Sequence, residues 1–184
     1  MLPTTAQDGT LFRPGASCLE ESVADMDFDL VIRLLQALHD ASVEYVLVGG
    51  VAMSVHGLVR ATEDIDLFVR LTSDNVARLR AALHEVWNDP NIDDITIEDL
   101  AGEYPVVRYG PPDTQLVVDI LARLGSAFAY EDLEWEVLPL DGVEVRVATP
   151  RTLHRMKCDT VRPIDKIDAA RLRAEFPQDI DDAG

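Results

Sequence analysis

The sequence is poor in cysteine and has no long apolar run. Only two of its 184 residues are cysteines, Cys18 and Cys158, and they lie too far apart to form a ligand-spaced pair. We interpret them as ordinary thiols of a reducing compartment. No segment approaches the roughly 18 apolar residues that a membrane span needs. These absences predict a cytoplasmic protein with no membrane partner.

Lysine is almost absent from a strongly acidic chain. The formal net charge is −18, and Lys157 and Lys166 are the only lysines among 16 cationic residues. This charge argues against a simple polyanion-binding protein. Residues 146–173, here called the basic segment, depart from the pattern with eight cations against three acids. The acidic remainder suits a high-salt cell interior and a GC-rich genome equally well.

The first half of the chain alternates helices with strands. Helical spacing predicts a helix over residues 27–40, and a short apolar run predicts a buried strand ending at Gly50. A short helix fits directly after the glycines. Alternating residues then predict a second strand over residues 64–70, followed by a helix that ends near Trp87.

The second half is richer in strands. Two hairpins are predicted, over residues 104–122 and 135–149, while residues 126–134 are compatible with a helix. Helices then begin at Pro150 and Pro163, because proline is favoured in the first helical turn. The whole order predicts an α/β (α+β) fold, with a mixed sheet flanked by helices.

The chain divides into four expected regions. Residues 1–25 lack the charged start and apolar centre of a secretory signal, and we expect a flexible lead-in there. Residues 26–148 form the predicted core, and residues 149–176 a C-terminal helical segment packed on it. Residues 177–184 form an acidic tail.

Two aspartates alternate on the second predicted strand. Residues two apart on a strand face the same way, so Asp64 and Asp66 project side by side while Ile65 and Leu67 face the other side. Carboxylates this close repel each other unless a cation lies between them. Mg²⁺ is commonly held by one or two carboxylates together with substrate phosphates. The alternative is a solvated strand edge with two surface acids.

Two glycines end the strand before these aspartates. Gly49 and Gly50 would let backbone N–H groups approach a phosphate closely, with a helix behind them. The pattern is neither a Walker loop nor the dinucleotide fingerprint, because the lysine of the first and the third glycine of the second are missing. A plain turn is the other interpretation.

A third acid, Asp119, lies in the otherwise apolar run LVVDIL. Burying an unpaired acid in such a strand costs several kcal/mol, and a neighbouring metal or a role as a base would offset that cost. Alternatively, Asp119 lies at the end of the strand and meets an arginine.

Together these residues resemble the nucleotidyltransferase superfamily, which has the DNA-polymerase-beta-like fold. Its pattern is Gly-Gly or Gly-Ser after a strand, then Asp-x-Asp on the next strand, then a single acid on a later one. Here the pattern reads Gly49-Gly50, Asp64-Ile65-Asp66 and Asp119.

A closer resemblance is to the minimal branch of that superfamily. This branch includes nucleotidyltransferase toxins of abortive-infection and toxin–antitoxin systems, and small antibiotic nucleotidyltransferases. Residues 49–67 read GGVAMSVHGLVRATEDIDL, which is similar to the toxin-like signature. In the later segment MKCDTVRPIDKID, Ile164 replaces an expected lysine, and the matching residues are Lys157, Arg162, Asp165 and Asp168.

The resemblance implies a nucleoside triphosphate substrate and two Mg²⁺ ions. Asp64 and Asp66 would hold the metals, and Asp119 would complete the site and help to deprotonate an acceptor hydroxyl. Attack at the α-phosphate would then release pyrophosphate.

Four polar residues are further candidates for nucleotide contacts. The resemblance puts Arg60 and Thr62 near the triphosphate, although Arg60 could equally balance Glu63 on the surface. Ser54 lies one turn into the helix after the glycines, where a helix-surface serine is the plainer interpretation. Lys157 suits phosphate as a point charge.

These residues favour an enzyme that transfers NMP from an NTP to a tRNA, a protein or a small molecule. The toxin-like signature also implies an antitoxin partner. Two alternatives remain open: an aminoglycoside or lincosamide nucleotidyltransferase, and a nucleotide-binding protein that has lost turnover on the same scaffold.

Overall fold

A computed structural model describes residues 27–125 and 127–181, and its helices and strands follow the predicted order closely. The predicted lead-in, residues 1–25, lies outside the described residues. The helices are α1 (Phe28–Asp40), α2 (Gly49–Val55), α3 (Ser73–Val86), α4 (Ile97–Ala101), α5 (Pro150–Cys158), α6 (Pro163–Glu175) and α7 (Pro177–Asp181). The strands are β1 (Tyr45–Val48), β2 (Asp64–Val69), β3 (Val106–Tyr109), β4 (Val117–Leu121), β5 (Arg123–Leu124), β6 (Phe128–Ala129), β7 (Trp135–Leu140) and β8 (Val143–Ala148).

Six strands form one mixed sheet, in the order β3-β4-β2-β1-β8-β7. The hairpins β3–β4 and β7–β8 and the central pair β1–β2 are antiparallel. The pairs β2–β4 and β1–β8 are parallel. Strands β5 and β6 form a separate two-stranded sheet. The predicted α/β fold with a mixed sheet is therefore confirmed.

The sheet interior explains the apolar runs of the sequence. Every residue of β1 is buried, as expected for a central strand covered on both faces. Helix α1 packs on α3 and β8 and buries Leu34, Leu35 and Leu38, while α2 packs on β1 and β2. Helices α5 and α6 pack against each other, and α5 also contacts α2 and β8. This arrangement brings α5 next to the junction of β1 and α2.

Residues 126–134 do not form the helix that their composition suggested. The described part of this stretch contains β6 and a single 3-10 turn at Tyr130–Asp132. The Asp132 carboxylate accepts a hydrogen bond from the Ala129 N–H at 2.8 Å and closes this turn locally. Phe128 pairs with Leu124 across the small sheet and is buried. Side-chain capping and strand pairing therefore replace helix formation here.

Residues of the predicted acidic tail continue the helical region. Helix α7 covers Pro177–Asp181 and contacts α5 and α6. Arg151 of α5 donates from its Nε to the carbonyl oxygen of Asp179 at 2.6 Å. None of the described helices is long and apolar enough to cross a membrane.

Candidate active site

The first turn of α2 begins with Gly49 and Gly50, here called the glycine turn, and neither position has room for a side chain. Gly49 has a φ of +69°, and a Cβ there would lie 1.9 Å from Asp66 Oδ2. A Cβ on Gly50 would lie 2.8 Å from Thr62 Oγ1 and 2.9 Å from Arg60 Nε. Real side chains essentially never approach so closely. The glycine turn therefore exists because polar side chains of the next segment occupy the space beside it.

The three predicted carboxylates lie on two neighbouring strands. Val48, the last residue of β1, is opposite Asp66 of β2. Asp66 is in turn the register partner of Asp119 in the parallel pair β2–β4. Asp64 shares a face of β2 with Asp66, because side chains alternate along a strand. The strand order thus brings Asp66 and Asp119 side by side, although they lie more than fifty positions apart in the sequence.

The charges of this cluster act on Asp66. Burial first, and then the negative charges of Asp64 and Asp119, together raise the pKa of Asp66 from 3.8 to about 6. The positive charges of Lys157 and Arg60 oppose the rise only in part. The ionised carboxylate is therefore disfavoured in the protein alone, and a bound cation would relieve the repulsion.

Arg108 pairs with the third carboxylate. Antiparallel pairing of β3 and β4 places Arg108 directly opposite Asp119. Its Nε donates to Asp119 Oδ1 at 2.8 Å and its Nη2 donates to Asp119 Oδ2 at 2.7 Å. The same Nη2 lies 3.9 Å from Asp64 Oδ2. Asp119 thus meets an arginine, as the alternative expected, but it lies in the middle of β4 instead of at its end, and it remains beside the other two carboxylates.

Lys157 is buried in an ion-pair network between α5 and α6. Its Nζ donates to Asp165 Oδ1 at 3.1 Å and to Asp168 Oδ2 at 3.0 Å. Arg60 also donates to Asp168 Oδ2, at 3.2 Å. Burial raises the pKa of the Asp165 carboxyl, but hydrogen bonds from Lys157 and Thr160 outweigh burial and lower it overall. Both predicted cationic contacts are therefore already paired with carboxylates.

One cleft joins these groups. It contains the glycine turn, the three aspartates, both cations of the network and an apolar wall from β4, β5 and α5. Its lining residues are Val48, Gly49, Gly50, Arg60, Asp64, Asp66, Arg108, Asp119, Leu121, Leu124, Leu153, Met156, Lys157, Thr160, Arg162 and Asp165.

Two predicted nucleotide contacts do not line this cleft. Ser54 is buried, and its hydroxyl donates to the Gly50 carbonyl oxygen at 3.1 Å, so it braces the first turn of α2. Thr62 is also buried, and its hydroxyl donates to Asp64 Oδ1 at 2.6 Å. Both side chains support neighbouring groups of the cleft, because their hydroxyls are already used inside the protein.

Comparison with known families identifies the chain. A family model described as "Nucleotidyl transferase AbiEii toxin, Type IV TA system" matches residues 33–182, which is most of the sequence. The chain belongs to the AbiEii nucleotidyltransferase toxin family. The family match confirms the resemblance to nucleotidyltransferases, including the toxin branch.

No curated protein matches the AbiEii-family chain significantly. Among solved structures, the chain is similar to ANT(2″)-Ia in complex with adenylyl-2″-tobramycin, at 15% sequence identity and a TM-score of 0.39. The alignment covers 80% of this chain and 97% of that chain.

The donor set of the AbiEii-family cleft suits a hard divalent cation. Carboxylate oxygens are the ligands that Mg²⁺ prefers, and the raised pKa of Asp66 reflects burial first and then the negative charge of Asp64 and Asp119, which a cation would neutralise. Within residues 27–125 and 127–181, however, no three His, Cys, Asp or Glu side chains are arranged to hold one ion together. Asp64 and Asp66 fit a metal in their chemistry, whereas Asp119 is engaged by Arg108.

Sequence reasoning missed Arg108. The signal was the predicted hairpin over residues 104–122, which sets Arg108 and Asp119 on adjacent strands. A turn centred on the PPDT sequence would pair Arg108 with Val117 instead, because the observed loop is longer on its C-terminal side. Because the loop is asymmetric, the pairing of Arg108 with Asp119 could not be predicted from the turn sequence.

Proposed function

We propose that this AbiEii-family protein is an enzyme that transfers a nucleoside monophosphate from a nucleoside triphosphate to an acceptor hydroxyl, with release of pyrophosphate. The observation that carries the proposal is the shared cleft, in which the glycine turn packs against Asp66 while Asp64 and Asp119 stand beside it. Membership of a nucleotidyltransferase family supports the same reaction.

The glycine turn would receive the triphosphate. The first N–H groups of a helix have no partner within the helix, and α2 begins at Gly49 itself. The absence of side chains at both glycines leaves this backbone open to a phosphate. Arg60 and Lys157 line the same cleft and would add positive charge, although each also neutralises a buried carboxylate.

Mg²⁺ would be held by Asp64 and Asp66. When bound, Mg²⁺ neutralises charge on the phosphates and orients the entering and leaving oxygens. Thr62 fixes the orientation of Asp64 by donating to its Oδ1. Asp119 is the register partner of Asp66 and would help to accept the proton of the acceptor hydroxyl while it stays paired with Arg108. The apolar wall of Leu121, Leu124 and Met156 would contact the nucleobase or the acceptor.

The family description supports a role as the toxin of a toxin–antitoxin pair, and we propose an antitoxin partner on that ground. Such a toxin would act in the cytoplasm, where nucleoside triphosphates are found. Three cations of the basic segment are paired with carboxylates of this chain: Lys157 with Asp165 and Asp168, Arg162 with Asp165, and Arg173 with Asp181. The segment therefore offers an RNA less free charge than its composition suggests. For this reason a protein or small-molecule acceptor should be tested beside tRNA.

Labelled nucleotide transfer tests this proposal. The purified protein would be incubated with each α-labelled NTP and Mg²⁺, against total tRNA, lysate protein and a panel of aminoglycosides and lincosamides. We expect transfer to one acceptor class, lost on chelation of Mg²⁺ and reduced at least about 100-fold by Asp66→Asn.

Asp94→Asn is the matched control, because Asp94 is exposed and does not line the cleft. Transfer that survives Asp66→Asn would remove Asp66 from the reaction. Nucleotide binding without transfer to any acceptor would favour the scaffold that has lost turnover.

A further inference from the structure

Arg108 occupies the position from which a cation would bridge two of the carboxylates. Both oxygens of Asp119 accept a hydrogen bond from its guanidinium, and the same group lies 3.9 Å from Asp64 Oδ2. A metal ion shared by Asp119 and Asp64 would need these same oxygen atoms. The guanidinium therefore already provides positive charge at this point.

The arginine is held there by the fold. Arg108 and Asp119 are register partners in the β3–β4 hairpin, so the backbone directs both side chains to the same face. A guanidinium matches a carboxylate with two parallel hydrogen bonds, which a lysine cannot reproduce. The Asp119 side chain is only 10% exposed, whereas that of Arg108 is 67% exposed. The buried partner thus depends on the exposed one for its counter-charge.

The other two carboxylates are more open. Within the described part of the chain, Asp64 accepts a side-chain hydrogen bond only at Oδ1, from Thr62, and Asp66 accepts none. Both oxygens of Asp66 and Asp64 Oδ2, which Arg108 approaches only to 3.9 Å without a hydrogen bond, can therefore bind one ion. The cleft therefore has room for a cation beside Asp66, whereas the Arg108 guanidinium fills the corresponding position beside Asp119.

We propose that Arg108 is a positioning residue that serves as a tethered cation for Asp119 and takes the place of a second metal ion. The cleft would then bind one divalent cation, at Asp64 and Asp66. This inference rests on the proposed function for its catalytic meaning, and it revises the expectation of two Mg²⁺ ions.

Metal stoichiometry tests the inference directly. Mn²⁺ would be titrated into the full-length, nucleotide-free protein, and bound ions counted by electron paramagnetic resonance. We expect one tight Mn²⁺ in the wild type and two in Arg108→Gln, because the freed Asp119 can then bind an ion with Asp64. The double variant Arg108→Gln/Asp119→Asn should return to one.

Two further variants control for charge and folding. Arg33→Gln removes an exposed arginine of α1 and should leave the count at one. Arg108→Lys keeps the positive charge and should also bind one ion. In chelator, the unfolding temperature of Arg108→Gln should be about 2–4 °C below that of the wild type. Adding Mn²⁺ should abolish this difference, but only while Asp119 is present.

A wild-type count other than one, or an unchanged count in Arg108→Gln, would overturn the inference. The outcome is separate from the test of the proposed function. A protein that shows the expected counts and transfers no nucleotide would contradict the function and keep the inference. Nucleotide transfer by a wild type holding two ions would do the reverse.

Discussion

At the scale of single residues, Gly49 combines two constraints that can be separated by mutation. Its φ of +69° strains any other residue, and the space beside it belongs to the Asp66 carboxylate. We expect Gly49→Ala to lower the free energy of unfolding by about 2–4 kcal/mol, measured by urea denaturation.

Gly57 provides the matched control for this substitution. It also has a positive φ, +83°, but no atom lies within 4 Å of the position that a Cβ would take. Gly57→Ala should therefore cost only the backbone strain, about 1 kcal/mol. Equal losses in the two variants would show that Asp66 does not fill the space beside Gly49.

Asp66 should destabilise the metal-free protein at neutral pH. Its pKa is raised from 3.8 to about 6, first by burial and then by Asp64 and Asp119, so the folded state binds more protons than the unfolded state between these values. Stability from this group is present below pH 4 and is lost as the pH rises through about 6. Asp66→Asn should therefore raise the free energy of unfolding at pH 7.5 by about 1–3 kcal/mol.

Urea denaturation in chelator checks this expectation. The gain from Asp66→Asn should shrink as the pH falls toward 4, where the aspartate itself is neutral in the folded protein. Asp94→Asn, at an exposed position, should change stability by less than about 0.5 kcal/mol at either pH. A loss of stability in Asp66→Asn at pH 7.5 would contradict the repulsion inferred for the cluster.

At the scale of elements, the ion-pair network fixes α5 against α6 and thereby shapes one wall of the cleft. Lys157 comes from α5, while its partners Asp165 and Asp168 come from α6. Replacing the lysine by an apolar residue leaves two buried carboxylates short of a counter-charge. We expect Lys157→Met to lower the free energy of unfolding by about 3 kcal/mol.

The chain's other lysine is the control, since Lys166 lies exposed on α6. Lys166→Met should change stability by less than about 0.5 kcal/mol. If the two variants proved equally stable in thermal or urea unfolding, the network would not join the helices.

The sequence predicted most elements because their patterns are local. Alternation over Asp64–Val69 identified β2 and its paired acids, and Thr149 with Pro150 identified the start of α5. The short stretch around Phe128 was misjudged, since its strand depends on pairing with β5. Local periodicity cannot reveal a pairing between two strands of only two residues each.

The site was predicted less completely, for a related reason. The acids could be named from the sequence, but their meeting depends on β4 lying beside β2, a long-range strand order. The rarity of Lys157 pointed to a special role, but its partners Asp165 and Asp168 could be assigned only once α5 and α6 were packed together. Arg108 gave no separate signal, because its importance arises only from its register with Asp119.

At the scale of the whole molecule, four segments of the chain converge on one cleft. The glycine turn follows β1, two acids lie on β2 and one on β4, and Lys157 comes from a helix that also contacts α2. The sheet order β4-β2-β1 brings the glycine turn and the three acids together once the strands pair. With a net charge of −18, the protein would repel a bare polyanion more strongly than the metal-bound, partly neutralised nucleotide that we propose as its substrate.

A crystal structure with Mn²⁺ and a non-hydrolysable analogue of the NTP that is transferred would test the nucleotide–metal site most directly. We predict an anomalous Mn²⁺ peak between the Asp64 and Asp66 carboxylates, with the triphosphate against the backbone of Gly49 and Gly50. A nucleotide bound elsewhere, or Mn²⁺ bound away from these two aspartates, would contradict it.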